Sequence, residues 1–370
     1  MLVIMILGCR HEKQEVSIGP SLKEAYQDLF LIGTALNTAQ IAGQDRASLE
    51  IVKKQFNAIT AENIHKWEKI HPEEGVYQFG PADDFLAFGE KNRMVMIGHT
   101  LVWQNQTPAW VFEDANGQPV GRDELLKRLK DHIDTVVGRY RGKIHGWDVV
   151  NEAIDEQGNY RQNNTWYEII GPDYIEYAFK WAHEADPGAE LYYNDFNMWY
   201  EGKVESVIKL VRNLQSKNIP IHGIGLQGHW GLDYPPLDEL EACLRAYSET
   251  GLNLMITEME INVLPFPESA DIGADITKNY ELRKEYDPYA EGFPDSMQVI
   301  LGNRYRELFD LFIQYKAHVS RVTLWGVHDG QSWTNYWPIR GRTNYPLLFD
   351  RKLKPKRAFY DLIHLVTEEE

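Results

Sequence analysis

The pattern of apolar and polar positions along the chain predicts eight short, buried β-strands. Each apolar run is brief and rich in Val, Ile, Tyr and Trp, as strands covered on both faces of a parallel sheet require. The runs occupy residues 30–37, 57–63, 95–103, 144–152, 190–197, 223–230, 253–261 and 321–329.

A helical pattern follows each predicted strand. It is clearest at 122–140, where Leu125, Leu129 and Ile133 share one apolar face, and at 297–315. Similar patterns lie at 45–56, 82–92, 173–186, 201–217, 236–250 and 355–366. Eightfold alternation of strand and helix is typical of an α/β fold of the (β/α)8 TIM-barrel type, in a single domain.

Residues 1–20 are predicted to form a signal-like or lipoprotein-like segment and tether, ahead of a catalytic barrel over 21–370. The apolar run 1–7 is too short to span a bilayer and short for a signal core, and no transmembrane segment is predicted. Residues 6–9 resemble the lipobox of bacterial lipoproteins, in which the cysteine is lipidated after cleavage. We expect an exported monomer, secreted, periplasmic or lipid-anchored at Cys9; a plain signal-peptide remnant and a cloning artefact are the alternatives.

The charge of the chain makes one class of partner unfavourable, and its cysteine content excludes one class of fold. A net charge of −17 over 370 residues disfavours nucleic acid, because phosphates would be repelled. Two cysteines, Cys9 and Cys243, exclude a disulfide framework.

The longest irregular connection, 262–296, is rich in Pro and Gly, and a loop of that length is usually functional. We expect it to overhang the active face.

Polar and acidic side chains, interleaved with Trp, stand where the predicted strands end. In a parallel barrel these ends share one face. Amides and acids can bond sugar hydroxyls, and indole faces can stack on sugar rings. Glu152 and Glu258 each close a β-rich run, and we expect them in an open site, because burying a carboxylate is costly. The strand-end residues are Glu62, Asn63, His99, Trp103, Asn151, Glu152, Asn194, Asp195, Gln227, His229, Glu258, Glu260, Trp325 and Asp329.

Other chemistries are less well supported. His99, His229 and His328 lie one per strand end, without the HxH or HxxxH spacing that favours a metal site, so no metal and no cofactor is predicted. No GxSxG nucleophile elbow is present. The string GIGLQG at 223–228 matches a phosphate-binding loop by letters, but it leads into a strand end and not a helix.

Eight motifs in order, from about residue 21 to 366, resemble those of glycoside hydrolase family 10, the endo-xylanase family. Each motif is modest alone, but the series is highly specific. The motifs are GTALN near the start, ENIHKWE (62–68), GHTLVW (98–103), WDVVNE (147–152), YYNDFN (192–197), GIGLQGHW (223–230), ITE (256–258) and WGVHDGQSW (325–333).

This resemblance implies a retaining hydrolase of β-1,4-xylan and xylo-oligosaccharides. Glu258 would be the nucleophile and Glu152 the general acid/base, with carboxyls about 5–5.5 Å apart rather than the 6.5–9.5 Å of inversion. Their pKa values should be pushed apart, that of Glu152 raised in part by the charge of Glu258. Asn151 would bond the sugar 2-hydroxyl, with His229 and Glu260 as catalytic support. The implied substrate-binding residues are Glu62, Asn63, Lys66, His99, Trp103, Gln104, Asn194, Gln227, Trp325 and Trp333.

Two positions depart from the family pattern. Gln104 stands where most relatives have histidine, and Glu260 where most have aspartate. We expect activity to survive with altered strength or pH profile. Three alternatives remain open: a catalytically silent polysaccharide-binding barrel, a retaining hydrolase of another β-glycan, and an inverting hydrolase.

Overall fold

The computed structural model describes residues 19–266 and 281–367. Its nine parallel strands adjoin in the order β6-β5-β4-β3-β2-β1-β9-β8-β7, and β6 also pairs with β8. That pairing closes an eight-stranded barrel, which confirms the predicted fold. The strands are β1 (Leu31–Leu36), β2 (Ala58–Ala61), β3 (Val95–Val102), β4 (Gly146–Asn151), β5 (Glu190–Asp195), β6 (Gly223–Leu226), β7 (His229–Gly231), β8 (Asn253–Asn262) and β9 (Val319–Leu324).

Helices separate successive barrel strands and pack their apolar faces on the barrel. In α6, for example, Leu125, Leu129 and Ile133 are fully buried. The α-helices are α1 (Leu22–Ala25), α2 (Thr38–Ile41), α3 (Arg46–Gln55), α4 (Trp67–Ile70), α5 (Gly80–Asn92), α6 (Arg122–Arg139), α7 (Thr165–Ile170), α8 (Tyr174–Ala185), α9 (Glu201–Ser216), α10 (Leu237–Ser248), α11 (Asp295–Gln314) and α12 (Arg357–Thr367).

The buried apolar residues form two clusters, one between the strands and the helices and one inside the barrel. Most buried apolar residues form one cluster, which includes the apolar faces of the helices and the strand residues that face them. Inside the barrel, Ile97, Tyr192 and Met255 form a small separate cluster. The strands approach closely: a Cβ at Gly98 would lie 2.1 Å from the Trp147 ring. Close packing of this kind fixes the strand ends, and with them the side chains they carry.

Several observed strands are shorter than predicted, and two predicted strands differ most from the structure. The run 223–230 is divided into β6 and β7, because both pair with β8 but in different registers. The run 321–329 ends as a strand at Leu324, after which the chain leaves the sheet. Residues 1–18, and with them the proposed lipid-anchor segment, lie outside the described residues. So do residues 267–280 of the long connection.

Candidate active site

A cleft of about 150 Å³ opens at the carboxyl ends of the barrel strands. A larger cavity, of about 790 Å³, opens at the opposite end and contains neither candidate acid. The site is therefore located by its chemistry and not by its size. The cleft is lined by Glu62, Asn63, Lys66, His99, Trp103, Gln106, Asn151, Glu152, Gln227, His229, Glu258, Trp325 and Trp333.

Glu152 directly follows β4 and lies in a neutral hydrogen-bonding environment. Its backbone is left-handed, with φ of +57°, and its N–H donates to the carbonyl of Asn194. Three side-chain donors reach its carboxyl oxygens: Trp103 Nε1 at 2.8 Å, Gln227 Nε2 at 2.9 Å and Asn151 Nδ2 at 3.1 Å. Left-handed backbone at a non-glycine residue is costly and concentrates at functional sites.

Burial raises the pKa of Glu152, and the negative charge of Asp195 raises it further. The hydrogen bond from Gln227 and the charge of Arg161 oppose that increase. The raised pKa agrees with the expectation, but the nearby charge chiefly responsible is Asp195 and not Glu258. The carboxyl of Glu152 is thus biased toward its protonated form, which can donate a proton.

Glu258, near the middle of β8, has cationic neighbours instead. Its Oε1 accepts a hydrogen bond from Asn194 Nδ2 at 2.8 Å, and its Oε2 lies 3.3 Å from His229 Nε2. Burial alone would raise the pKa of Glu258, but His99, His229 and Lys66 outweigh it and leave that pKa lowered. Glu258 is therefore biased toward the ionised form that can act as a nucleophile.

The two acids do line the cleft, but their side chains are more buried than the expectation of an open setting implied. Glu152 is 4% exposed and Glu258 is 5% exposed. The cost of burying a carboxylate is offset here by direct hydrogen bonds and by nearby cations, which strand-end reasoning does not include.

A change of register in β8 aims Glu258 into the cleft. Between Leu226 and His229 the neighbouring β6 and β7 advance three residues, while β8 advances four, from Ile256 to Glu260. Before this extra residue Ile256 faces the outer core, and after it Met259 does so. Thr257 and Glu258 therefore both point inward, where they contact Asn194. Bulges often redirect a side chain next to an active site.

His229 connects Glu258 to Glu260. Its Nδ1 lies 2.7 Å from Glu260 Oε1, an atom that also accepts a hydrogen bond from Trp333 Nε1 at 2.9 Å. Burial disfavours the charged imidazole, but the charge of Glu260 and the bonds to both carboxylates raise the pKa of His229 to about 10. The imidazole is therefore charged at neutral pH and donates from both nitrogens.

One wall of the cleft carries a buried lysine. Lys66 Nζ donates to Asn63 Oδ1 at 3.1 Å and to Gln106 Oε1 at 3.0 Å, and lies 4.7 Å from the centre of the Trp103 ring. His99 is oriented by Asp148 Oδ2, 2.9 Å from its Nδ1. Amides, a cation and indole faces in one wall are suited to bonding hydroxyls and stacking on a ring.

Three residues expected in the site do not line the cleft. Asn194 is fully buried and bonds Asn151 as well as Glu258, while Glu260 lies behind His229. Gln104 is outside the lining, and its Oε1 is buried without a partner in the part of the chain that the structure describes. Gln106, which sequence reasoning missed, takes the place next to Lys66. Both glutamines follow β3, and no local sequence signal distinguishes them.

The cleft continues past Trp333 into a strip of aromatic side chains. Trp337 stacks on Trp333 with ring centres 4.9 Å apart, and Phe266 packs against Trp337 at 5.9 Å. Phe196 and Tyr234 line the same depression. The cleft and this depression adjoin at His229 and Trp333. Together they form an extended groove lined by aromatic side chains, which suits a chain-like substrate.

Across residues 19–266 and 281–367, no group of three or more His, Cys, Asp and Glu side chains is placed to hold a metal ion. In the same ranges no helix is both long enough and apolar enough to cross a bilayer.

Two buried carboxyls with opposite pKa shifts, facing one aromatic-walled cleft of a (β/α)8 barrel, define a glycoside hydrolase. Comparison with known proteins gives the family. The family model described as "Glycosyl hydrolase family 10" matches residues 21–365, so the chain belongs to that family.

The similarity to individual relatives extends over nearly the whole chain. Endo-1,4-beta-xylanase A of Xylanibacter ruminicola is 44% identical over 346 residues, which cover 94% of this chain and 93% of that protein. Beta-1,4-xylanase of Dictyoglomus thermophilum is 42% identical, with 98% and 96% covered. A solved GH10 endoxylanase from a sugarcane soil metagenome superposes with a TM-score of 0.90 at 41% identity, covering 93% of this chain and 100% of that one.

Proposed function

We propose that this protein is a retaining endo-1,4-β-xylanase that hydrolyses internal bonds of xylan and xylo-oligosaccharides. One observation carries the proposal: two buried carboxyls face the same cleft, and their pKa values are shifted in opposite directions. The relatives named as endo-1,4-beta-xylanases support xylan as the substrate. The aromatic strip beyond Trp333 supports binding of a chain on both sides of the cleaved bond.

In the first step, Glu258 attacks the anomeric carbon as the bond to the departing oxygen breaks. Protonated Glu152 gives its proton to that oxygen, and a glycosyl ester on Glu258 remains. The amides and indole around Glu152 hold its carboxyl in place during this transfer. His229, charged and fixed by Glu260, keeps the attacking Glu258 ionised and oriented.

In the second step, Glu152 takes a proton from water, which attacks the same carbon and releases Glu258. The departure of the first sugar leaves Glu152 ionised, and Glu258 is neutral in the ester, so the change of role follows from charge. Asn151 bonds the 2-hydroxyl, while Glu62, Asn63, Lys66 and Gln227 bind the sugar ring next to the reacting carbon. Trp103, Trp325 and Trp333 supply its apolar contacts.

Hydrolysis of linear xylan tests this proposal directly. We expect reducing ends to accumulate, with a mixture of oligosaccharide lengths at early times by chromatography. Proton NMR should show the β-anomer of the new reducing end first. An α-anomer would indicate inversion, and an absence of new reducing ends would indicate a binding barrel. Faster cleavage of a β-1,4-glucan than of xylan would indicate another glycanase.

The N-terminal segment supports a proposal about location. Residues 1–20 would form an export segment and tether, with a lipid attached at Cys9 and the monomeric barrel starting at residue 21. Cells expressing the protein should incorporate radioactive fatty acid into it, and Cys9→Ala should abolish the label. An equal label in the Cys9→Ala variant would contradict a lipid anchor at this cysteine.

A further inference from the structure

A cluster of buried charges lies behind Glu152, away from the cleft. Asp195, the last residue of β5, and Lys203, on α9, are both fully buried. Lys203 Nζ donates to Asp195 Oδ1 at 2.9 Å and to the carbonyl of Phe196 at 2.6 Å. Neither residue lines the cleft, so neither can bind the substrate.

Asp195 holds the loop that carries Glu152. Its Oδ2 accepts a hydrogen bond from Tyr193 Oη at 2.6 Å and a longer one, 3.4 Å, from the backbone N–H of Ile154. Ile154 lies two residues past Glu152. The carboxylate therefore anchors the backbone just beyond the left-handed turn at Glu152, which is otherwise a costly conformation.

Arg161 joins the same loop to the cluster. Its backbone N–H donates to the carbonyl of Ala153, and its guanidinium lies 3.8 Å from Asp195 Oδ1 and 3.5 Å from Glu156 Oε1. Arg161 and Lys203 lie over the ring of Phe196, each 4.5 Å from its centre. The position of each cation relative to Asp195 is thus fixed by packing as well as by charge.

Such a cluster is a poor way to stabilise a fold. Removing ions from water costs several kcal/mol for each ion, and well-packed apolar side chains of the same volume are often as stable or more so. A buried pair that contacts the loop of the acid, but not the substrate, is better explained by an effect on the acid.

We propose that Asp195 is a positioning residue which, with Lys203 and Arg161 as counter-ions, holds Glu152 in the cleft and keeps it protonated until the glycosidic bond breaks. This inference rests on the proposed role of Glu152 as the general acid/base. Asp195 does not touch the substrate. Its charge acts on the carboxyl of Glu152, and its hydrogen bond with the backbone N–H of Ile154 holds the loop.

Within the cluster, the charges of Asp195 and Arg161 have opposite effects on the pKa of Glu152. The negative charge of Asp195 raises the pKa of Glu152, after burial, and the positive charge of Arg161 lowers it. Lys66 and Glu258 also carry charge on the cleft side of Glu152, and Glu156 and Lys203 carry charge within the cluster. They are unchanged when Asp195 or Arg161 is substituted, so the pH profile can report the cluster separately.

The experiment is the pH dependence of kcat/KM on a xylo-oligosaccharide. Glu152 must be protonated for the first step, so activity falls at high pH as this group ionises. Asp195→Asn should move that alkaline limb to lower pH, and Arg161→Gln should move it to higher pH. We expect roughly half a pH unit or more in each direction, the size typical of one nearby charge. Arg122→Gln and Asp173→Asn, at an ion pair whose residues do not line the cleft, should leave the limb in place.

Opposite displacements would support the proposal. Two displacements in the same direction, or lower kcat with an unmoved limb, would overturn it and leave a purely structural cluster. If Asp195→Asn fails to fold because Lys203 is left unpaired, the double variant Asp195→Asn/Lys203→Met removes both charges. The alkaline limb should still move to lower pH, because Asp195 lies on β5, which pairs with the strand before Glu152, whereas Lys203 lies on α9. An unmoved limb would again contradict the proposal.

A parallel measurement on Glu152→Gln separates this inference from the assignment beneath it. Loss of the alkaline limb in that variant assigns the limb to Glu152, and the Asp195 and Arg161 variants then decide the inference alone. A limb that persists in Glu152→Gln would show that Glu152 is not the acid, and the role of Asp195 would fail with it.

Discussion

The surroundings of the two buried carboxyls differ in one respect. Both are almost completely removed from water, so burial raises the pKa of each. Around Glu152 the direct partners are neutral amides and an indole, and the nearest cluster carries the negative Asp195. Around Glu258, the charges of His99, His229 and Lys66 lower its pKa instead. Burial thus provides a common starting point, and the sign of the neighbouring charges gives each carboxyl its separate task.

The largest expected effect comes from removing the carboxylates themselves. Glu258→Gln should lower kcat by about 10⁴-fold or more on every substrate, because no nucleophile remains. Glu152→Gln should lower hydrolysis of xylan severely, yet still release a burst of phenolate from a dinitrophenyl xylobioside, whose leaving group needs no proton. Stopped-flow absorbance measures the burst.

Added azide gives a control for this pair. It should accelerate the second step in Glu152→Gln by replacing water, and should not restore Glu258→Gln. Rescue of both variants, or of neither, would contradict the division of roles between the carboxyls.

His229 tests the cationic half of the comparison. His229→Gln removes a charged partner of Glu258, so the pKa of Glu258 should rise and the acidic limb of kcat/KM should move to higher pH. A hydrogen bond between charged groups is worth about 1.5–3 kcal/mol, so kcat should fall by roughly 10- to 100-fold. His328→Gln, at a histidine outside the cleft, is the control. An unmoved acidic limb in His229→Gln would show that burial and the other cations suffice.

A histidine pair elsewhere shows what burial does without an acidic partner. His71 and His132 are buried, with their Nδ1 atoms 3.2 Å apart, and His132 stacks on Trp67 at 3.5 Å. Burial lowers the pKa of His71 to about 4 and holds that of His132 well below 6.5. His229, between two carboxylates, shifts in the opposite direction.

This pair should therefore make the fold sensitive to acid. A histidine whose folded pKa is depressed contributes its full stability above about pH 6.5 and loses it as pH falls toward 4, because the unfolded chain binds more protons. We expect a loss of about 2 kcal/mol from His71, after allowing for solvent screening. Urea unfolding at pH 7.5 and 4.5 measures it. The double variant His71→Phe/His132→Phe keeps the aromatic stack and should show a smaller loss; an identical loss would refute the assignment.

The smallest effect separates two neighbouring glutamines. Gln106 contacts Lys66, and Gln104 does not line the cleft. Gln106→Ala should raise KM for xylo-oligosaccharides by about 2- to 10-fold, because Lys66 loses one of the hydrogen bonds that orient it. Gln104→Ala should change KM by less than this. The reverse order would show that the resemblance locates this wall better than the geometry does.

The fold was predictable because its signal is repeated. Eight short runs of β-formers, each followed by an amphipathic segment, allow few arrangements other than a closed barrel. The exceptions lie where hydrogen bonding, and not side-chain pattern, ends a strand. The run 223–230 keeps its apolar character through the point at which its register with β8 changes, so the pattern alone cannot show the division into β6 and β7.

The site was predictable only in part. Strand ends and family motifs led to Glu152 and Glu258, because both sources depend on local sequence. The choice of Gln106 over Gln104 depends on a turn in which Gln106 has φ of +50°, and local sequence does not specify that turn. The influence of Asp195 on Glu152 depends on distances across two strands and a helix. The local sequence around Glu152 does not contain those distances.

The extra residue in β8 has a consequence for insertions and deletions. Side chains of a strand alternate, so removing one residue between Ile256 and Met259 would restore simple alternation and leave a single inward position where Thr257 and Glu258 now stand. One of the two contacts with Asn194 would then be lost. Substitutions can change the strength of the nucleophile by degrees, whereas a change of chain length here would present it or withdraw it entirely. The number of residues between Ile256 and Met259 therefore matters for presenting Glu258, in addition to their identity.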